Sequence, residues 1–234
     1  MNRKRSRSLI SRVFPAMLIG ALALPCAASD AMGERLQACD ACHGKVVDSP
    51  EQEIYYPPIN GKPVEYLYQQ LLNFKEGRRV NPVMSQMLAY LSSDYLHEIA
   101  DWYSRQEPVR SQPAADEIAL EDPERTARAR VLVQSGEGSV AACAACHGGD
   151  LKGDGVAIPG LRGLSAHYLT AQLGAWKAGT RQAREPDCMA EVARALSGAD
   201  VDILAQWIAA ARDEDLTTDA VDTTKLPHEC GAIQ

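Results

Sequence analysis

The chain has 234 residues, a length that suits one large domain or two small ones. It carries 24 Lys and Arg against 31 Asp and Glu, which gives a formal net charge of −7. This acidic balance argues against nucleic acid and anionic membranes as partners, and it favours docking to basic surfaces of other proteins. The same charge would also serve solubility alone.

The first 28 residues have the pattern of a secretory signal peptide. Five basic residues precede an apolar run over residues 13–24, and small residues stand before Ser29. The run is shorter than the roughly 20 residues that span a bilayer, and no later segment is continuously apolar for that length. Cleavage before Ser29 would remove five of the 24 Lys and Arg and none of the 31 Asp and Glu, leaving a charge of −12. We expect a periplasmic protein without a transmembrane span, although retention of the signal as an anchor stays open.

The rest of the chain contains one unit twice, over residues 39–103 and 143–208. Each copy begins with Cys-x-x-Cys-His, continues with Tyr-Leu-x-x-Gln-Leu and an aromatic-Lys-x-Gly, and ends with Leu-Ser before a tryptophan. The segment between the copies is polar and contains two prolines, as a surface linker would. We divide the chain into a signal peptide (1–28), a first domain (29–106), a linker (107–122), a second domain (123–212) and a tail (213–234).

Both units are predicted to be mainly helical. Apolar periodicity and capping residues predict six helices: 32–38, 64–75, a helix from Ser92 or Ser93 to near Arg105, 123–134, 166–177 and a helix from Ser197 to near Ala211. Two of these helices stop before Gly77 and Gly179, which suit a left-handed helix end. The tail lacks periodicity, and we expect it to be extended.

The two Cys-x-x-Cys-His motifs are the attachment signature of c-type haem. Two thiols one helical turn apart reach the two vinyl groups of a porphyrin, and the next residue turns its imidazole beneath the iron. A thioredoxin-like redox pair or half a zinc site would share the cysteines, but neither needs the adjacent histidine in both copies. We therefore predict two covalently bound haem c groups, with thioether bonds and proximal iron ligands at Cys39, Cys42, His43, Cys143, Cys146 and His147.

The sixth iron ligand decides between electron transfer and catalysis, because catalysis on a small molecule needs an open or displaceable position. In the second copy Met189 is the one methionine after the haem motif. The first copy offers Met84 and Met87, and Met84 matches Met189 because each stands seven residues before Leu-Ser. We predict Met84 and Met189 as axial ligands and assign Met87 to core packing.

Three other histidines and two prolines are also candidate parts of the haem sites. His97, His167 and His228 would be needed for bis-histidine haems, but His97 and His167 match other residue types in the opposite copy, so we assign all three to surface or packing roles. Pro57 and Pro159 stand where a turn would press against the proximal histidine and let the proline carbonyl orient the imidazole proton. Ordinary turn prolines are the alternative.

Cys188 and Cys230 remain once Cys26 is cleaved off and four cysteines attach haem. Exported proteins commonly pair such cysteines. A disulfide between them would close a loop of roughly 40 residues, worth about 4 kcal/mol in the chain-entropy model. It would pin the tail beside Met189, whereas two unrelated free thiols are the alternative.

These motifs together resemble the cytochrome c4 family, periplasmic carriers built from two class I cytochrome c domains. The resemblance covers roughly residues 34–212 and includes the segment Asn81-Pro82-Val83-Met84-Ser85-Gln86-Met87. It implies a mainly α fold of two tandem domains related by a pseudo-twofold axis, each holding a His/Met haem. Electrons would pass from a quinol-oxidising complex or a dehydrogenase to a terminal oxidase of a respiratory chain. The first copy lacks the usual glycine-rich stretch after its haem motif, and the tail lies outside the family pattern, so the choice of partner stays open.

The sequence thus predicts an electron-transfer protein and not an enzyme. A diffusing carrier and an electron-transfer subunit of a periplasmic dehydrogenase fit the residues equally well. A dihaem peroxidase is a third interpretation, but it would need one open or displaceable iron ligand, whereas both copies supply a methionine.

Overall fold

The computed structural model describes residues 31–44, 50–109, 122–217, 226–227 and 229–233. The predicted signal peptide, most of the linker, His228 and part of the tail lie outside these ranges. The helices are α1 Ala31–Arg35, α2 Gln37–His43, α3 Pro50–Tyr55, α4 Val64–Lys75, α5 Pro82–Leu88, α6 Ser93–Ser104, α7 Pro123–Gln134, α8 Cys143–His147, α9 Ala166–Lys177, α10 Cys188–Ala195 and α11 Gly198–Ala210. Across the described ranges, no helix has the length and apolar character that crossing a membrane requires.

The buried apolar residues form two clusters, one in each copy of the repeat. In the first copy α4 packs against α5 and α6, and in the second α9 packs against α10 and α11. The first cluster contains Leu36, Leu67, Leu88, Leu96, Ile99, Ala100 and Tyr103. The second contains Ala129, Leu132, Val133, Leu151, Leu169, Leu196, Val201, Leu204, Ala205, Trp207 and Ile208. Full burial of one large apolar side chain stabilises the folded state by about 1.5–3 kcal/mol. The helices that bury these side chains occupy equivalent positions in the two copies. The domain boundaries themselves stay a prediction.

The periodic segments form helices where the sequence predicts them. Helices α4, α7 and α9 have the predicted bounds. Gly77 and Gly179 follow α4 and α9 with φ of 77° and 75°, a left-handed conformation that glycine adopts without steric cost. Helices α6 and α11 begin after Ser92 and Ser197. The Ser92 hydroxyl accepts a hydrogen bond from the Tyr95 N–H at 3.2 Å, and the Ser197 hydroxyl accepts one from the Asp200 N–H at 3.0 Å.

The segment before the first haem motif differs from the single helix predicted over residues 32–38. Leu36, which is 2% exposed, turns the backbone with φ −89° and ψ 1° and divides the segment into α1 and α2. Its N–H bonds to the carbonyls of both Met32 and Gly33 at 3.1 Å, which tightens the helix there. Burial of the Leu36 side chain in the first core accompanies this break.

The tail also differs from the extended segment that we expected. Within its described residues it forms two 3₁₀ turns, at Asp213–Asp215 and Gly231–Ile233. Leu216, just after the first turn, packs against the second core. The second turn packs against α4 of the first copy. Tertiary contacts therefore order parts of a segment in which the sequence has no periodicity.

The two copies meet through equivalent residues. Arg79 and Arg181 form an isolated antiparallel bridge. Each arginine follows the aligned glycine by two residues, so the bridge lies on a local pseudo-twofold axis. Two backbone hydrogen bonds flank the bridge, from Val80 N–H to Thr180 O and from Gln182 N–H to Arg78 O, both at 2.8 Å.

A buried carboxylate makes a second contact between the copies. Glu53 on α3 is fully buried, and its Oε2 accepts a hydrogen bond from the backbone N–H of Ser165 at 3.1 Å. Ser165 is the N-cap of α9, where a negative charge is favoured by the helix dipole. Helix α3 of the first copy is thereby held against α9 of the second.

Candidate haem sites

Each copy encloses a cavity that gathers its predicted site residues. The first cavity, of about 510 Å³, is lined by Cys39, Cys42, His43, Pro57 and Met84. Most of its apolar lining comes from α4, α5 and α6, and residues of the second copy contribute one side. Thiols, histidine and methionine thus surround one space, although they are spread over some 45 residues of sequence.

The second cavity repeats this arrangement. It measures about 200 Å³ and is lined by Cys143, Cys146, His147, Pro159 and Met189. Helices α9, α10 and α11 supply its apolar walls. The duplication therefore produces two separate sites, each with its own complete set of residues.

Both proximal histidines are oriented by a proline carbonyl. His43 Nδ1 donates to the Pro57 oxygen at 2.9 Å, and His147 Nδ1 donates to the Pro159 oxygen at 2.8 Å. With the proton assigned to Nδ1 by this hydrogen bond, the lone pair of Nε2 is left for a metal. Burial lowers the pKa of both His43 and His147, so each imidazole is neutral at neutral pH, as a ligand must be.

Three of the four motif cysteines lack the lowered pKa of a redox pair. Burial raises the pKa of Cys39 and Cys146, and it raises the pKa of Cys143 to about 11. Thiols of thioredoxin-like pairs have lowered pKa values, because the thiolate is their reactive form. The electrostatics of these sites therefore disfavour the redox-pair interpretation.

Helix caps and a repeated lysine hold the methionine helices. The Asn81 side chain accepts from the Met84 N–H at 3.1 Å, which fixes the start of α5 beside Met84. At the other end of α5, Lys75 Nζ donates to the Leu91 carbonyl, and in the second copy Lys177 Nζ donates to the Leu196 carbonyl at 2.5 Å. The lysine of the aromatic-Lys-x-Gly motif thus ties α4 to α5, and α9 to α10.

Met87 is placed differently from our expectation. It lines the rim of the first cavity but is 46% exposed, whereas core packing would require burial. Val192, its counterpart in the second copy, packs against the second core. The core-packing assignment of Met87 is therefore wrong.

The other histidines lie away from the cavities where they are described. His97 lies 3.4 Å from a Glu65 carboxylate oxygen on the surface and packs edge-on against Tyr68. His167 is exposed on α9. Neither lines a haem cavity, and His228 lies outside the described residues.

The residues around both cavities fit covalently bound haem. The two thiols of each motif, an imidazole with a free Nε2 and an apolar wall are the groups that c-type haem attachment requires. In the second cavity the buried indole Nε1–H of Trp176 has no acceptor among the described residues. Because a buried donor without a partner is costly, a propionate oxygen in this cavity would satisfy it.

The two cavities share one polar wall. Lys62, Tyr66, Gln70, Tyr168, Gln172 and Arg181 line both of them, and Arg79 lines the first. Three equivalent pairs make up most of this wall, because Tyr66, Gln70 and Arg79 of the first copy match Tyr168, Gln172 and Arg181 of the second. We call these seven residues the shared wall.

The arginines of the shared wall exchange hydrogen bonds across the pseudo-twofold axis. Arg79 donates to Gln70 Oε1 at 3.0 Å and to Gln172 Oε1 at 2.8 Å. Arg181 donates to the same two oxygens, at 3.2 and 2.6 Å, and to the Tyr66 hydroxyl at 3.3 Å. Each guanidinium also stacks on an aromatic ring of its own copy. The network therefore fixes both charges at the contact between the copies.

The shared wall is strongly positive. Burial, and then the neighbouring Arg79, lower the pKa of Arg181, and burial lowers the pKa of Lys62. Among the residues that the structure describes, neither Arg79 nor Arg181 forms an ion pair with a carboxylate. Buried like charges are costly unless an anion compensates them. Haem propionates from the two cavities would supply such anions.

Sequence reasoning missed the shared wall and Glu53. Arg79 and Arg181 occupy equivalent positions in the repeat, so their identity in both copies was an available signal. Glu53 gave no signal, because its partner is a backbone N–H 112 residues away. Only the packing of the two copies brings these groups together.

The remaining cysteines are paired in the structure. Cys188 and Cys230 form a disulfide, with their Cα atoms 5.5 Å apart. Cys188 is the first residue of α10 and directly precedes Met189. The tail is thus tied to the helix that carries the methionine of the second site.

Comparison with known proteins bears on the chemistry of these sites. The family model for cytochrome c matches residues 133–212. The chain is 36% identical over 202 residues to the thiosulfate dehydrogenase electron acceptor of Thiomonas intermedia. This alignment covers 85% of this chain and 90% of that protein. The chain is also 31% identical over 190 residues to cytochrome c4 of Stutzerimonas stutzeri, and that alignment covers 74% of this chain and 84% of that protein.

Two solved structures have a similar fold. Reduced recombinant cytochrome c4 from Pseudomonas stutzeri matches with a TM-score of 0.59 and 27% identity, over 76% of this chain and 96% of that one. A thiosulfate dehydrogenase from Marichromatium purpuratum matches with a TM-score of 0.60 and 29% identity over 74% of this chain. This chain spans 36% of the length of that structure's chain.

The site residues and the comparisons agree on one kind of protein. Paired thiols, proline-oriented histidines and an apolar cavity suit covalent haem c, and both relatives align over most of their length. The fold prediction of tandem cytochrome domains is confirmed by the cytochrome c4 structure. The chain therefore belongs to the cytochrome c4 family and is a haem c electron-transfer protein.

Proposed function

We propose that this protein carries two covalent haem c groups and relays single electrons through them from a periplasmic dehydrogenase to a terminal oxidase. Cys39 and Cys42 would attach the first haem, with His43 and Met84 as its iron ligands. The second set consists of Cys143, Cys146, His147 and Met189. Intact mass and a pyridine haemochrome spectrum should give two haems per chain, and one haem would contradict the proposal.

The shared wall carries this proposal, because it brings the two sites into direct contact. When bound, each haem iron supplies a one-electron redox centre. The proline carbonyls hold the imidazoles in place. Asn81 caps α5, and Asp187 caps α10 by accepting from the Ala190 N–H at 3.1 Å, so both methionine helices are fixed and little reorganisation would accompany electron transfer. The shared arginines would neutralise the propionates of both haems where the copies meet. One electron could then pass from one site to the other without leaving the protein.

The relatives suggest the electron donor. Two of them carry the name thiosulfate dehydrogenase electron acceptor, and the chain is 36% and 32% identical to them over 85% and 84% of its length. We propose that this protein likewise accepts electrons from a thiosulfate dehydrogenase. The acidic character of the chain fits docking to a basic surface of such an enzyme.

A stopped-flow experiment tests the donor. The ferric protein is mixed with thiosulfate and a catalytic amount of thiosulfate dehydrogenase from Thiomonas intermedia, and haem reduction is followed optically. We expect both haems to be reduced, and the rate to fall as ionic strength rises, because docking between charged surfaces is screened by salt. Reduction that is no faster than with thiosulfate alone would contradict the donor assignment.

A carrier between a quinol-oxidising complex and a terminal oxidase is the second candidate. It is favoured by relatives named cytochrome c4, which are 29–31% identical to this chain. The same stopped-flow assay with a quinol-oxidising complex and quinol in place of the dehydrogenase separates the two. Faster reduction from quinol would favour this candidate.

We also propose that residues 1–28 are a signal peptide that directs the chain to the periplasm. The basic residues, the apolar run and the small residues before Ser29 support it. N-terminal sequencing of the exported protein should begin at Ser29. An N-terminus at Met1 in a membrane fraction would show that the signal is retained as an anchor.

A further inference from the structure

The end of the tail lies in the wall of the second cavity. Cys230, Ala232 and Ile233 line this cavity beside Met189. The Gly231 N–H donates to the Pro186 carbonyl at 2.9 Å, and the disulfide joins Cys230 to Cys188. The tail is thus held on the methionine side of the second site by a covalent bond and by the backbone.

The tail is packed closely against the loop before α10. Gly231 is buried, and a Cβ atom added to it would lie 2.2 Å from the Glu185 carbonyl oxygen and 2.6 Å from that of Arg184. Real Cβ atoms essentially never approach backbone oxygens so closely, so only glycine fits. This close backbone contact and the disulfide together hold the tail against the loop.

Among the described residues, no segment covers the equivalent position of the first copy. Counting back one residue from Met84 and Met189 places Val83 opposite Cys188, and Val83 is 69% exposed. Met87 is 46% exposed, whereas its counterpart Val192 packs against the second core. The first cavity is also larger, at about 510 Å³ against about 200 Å³. The methionine side is therefore open in the first copy and covered in the second.

We propose that the disulfide-held segment Glu229–Ile233 is a cap that decides which haem is accessible: it closes the methionine side of the second haem and leaves the first haem open to small exogenous ligands. This inference rests on the proposed His/Met ligation of both haems. Loss of the Met–iron bond requires the methionine to move aside and an incoming donor to enter. The cap restricts both movements at Met189, and no part of the described tail does so at Met84.

Imidazole binding to the ferric protein tests the cap. Imidazole nitrogen replaces the methionine sulfur on iron without a change of oxidation state, and the weak red absorption band of methionine-ligated ferric haem reports the exchange. We expect two phases, with the slow phase at least about tenfold slower, because its haem reacts only when the cap opens locally. In a Met84→Ala background the remaining band belongs to the second haem, and it should decay with the slow rate.

Two variants remove the cap in different ways. Cys188→Val with Cys230→Ser gives the second copy the valine that the first copy has, and Gly231→Val displaces the tail while both cysteines stay. In each we expect the slow phase to accelerate at least about tenfold towards the fast one. Val83→Ser, at the matched position of the first copy, should leave both phases unchanged.

Several outcomes would overturn the cap. These are equal rates for both haems in the unaltered protein, a slow phase that belongs to the first haem, or a slow phase that both variants leave intact. The starting spectrum separates this failure from failure of the proposed ligation, because the methionine band is recorded before imidazole is added. A normal haem spectrum in each variant shows that it has folded.

Discussion

At the scale of single residues, burial distinguishes the two methionines that line the first cavity. Met84 and Met87 both line the first cavity, one turn apart on α5, so distance along the helix does not separate them. Met84 is half-buried and packs against the first core, whereas Met87 is exposed at the rim. The repeat alignment and the burial of Met84 therefore point to the same side chain.

Replacing each methionine by leucine should separate them. Met84→Leu should remove the methionine band of one haem and lower its potential, because loss of the thioether changes the axial ligand, the factor that spreads haem potentials over roughly 0.8 V. Met87→Leu should change neither. The check is a redox titration with optical spectra of both variants, and a normal spectrum in Met84→Leu would refute the assignment.

At the scale of elements, polar side chains lock the helix ends that position the sites. Asp200 and Ser197 form a reciprocal capping box at the start of α11. Asp200 also accepts a hydrogen bond from Arg128 Nε on α7 at 3.0 Å. This hydrogen bond, more than any other contact, lowers the pKa of Asp200. The cap thus ties α7 to α11 while it starts the helix.

Asp200→Asn should destabilise the protein by about 1 kcal/mol at pH 7. The pKa of Asp200 is lower in the folded state than in the unfolded state, so its stabilisation is full above the unfolded value of roughly 3.9. It is lost as the pH falls through the folded value. Urea unfolding followed by far-ultraviolet circular dichroism should therefore show a gap from the unaltered protein at pH 7 that closes under strongly acidic conditions.

Asp202→Asn is the matched control on the same helix. The Asp202 carboxylate pairs with Arg125 at 2.6 Å, but its side chain is 57% exposed, so solvent screens the pair. Its loss should have a smaller effect. Equal effects of the two substitutions at every pH would argue against the capping role of Asp200.

At the scale of the whole molecule, the two copies meet at the shared wall. Arg79 and Arg181 bind the same two glutamine oxygens across the pseudo-twofold axis. Positive charge near a haem favours the ferrous state, which carries one positive charge less. The contact between the copies should therefore set the potentials of both haems at once.

Arg181→Gln should lower the potentials of both haems. Arg181 lines both cavities, so removal of its positive charge would disfavour the ferrous state at both sites. Arg79→Gln should act in the same direction. Spectroelectrochemical titration measures both, and a shift confined to one haem would show that the wall is not shared.

Arg105→Gln provides the control for that titration. Arg105 pairs with Asp101, and its side chain is 62% exposed, away from both cavities. Its removal should leave both potentials nearly unchanged, because water and salt screen an exposed charge. A comparable shift would mean that net charge alone explains the arginine effect.

Local patterns made much of the fold and of the sites predictable. Helices α4 and α9 follow from periodicity and a terminal glycine, and the Cys-x-x-Cys-His motifs place thiols and imidazole within one short segment. The break at Leu36 was not predictable, because burial in the core accompanies it. The exposure of Met87 was not predictable either, because the residues around it in the sequence would equally suit a helix whose methionine is buried.

The sequence by itself determined the family, the haem c chemistry and the helices with clear apolar periodicity, because covalent attachment and helix periodicity act over a few residues. The tertiary structure decided how the two copies differ and how they meet. Three contacts join residues far apart in the chain: the fully buried Glu53 on α3 with the N-cap of α9, the arginines of the shared wall with their glutamines, and the tail with the second cavity. Such contacts depend on how distant segments pack against one another, and the local sequence of one copy does not specify that packing.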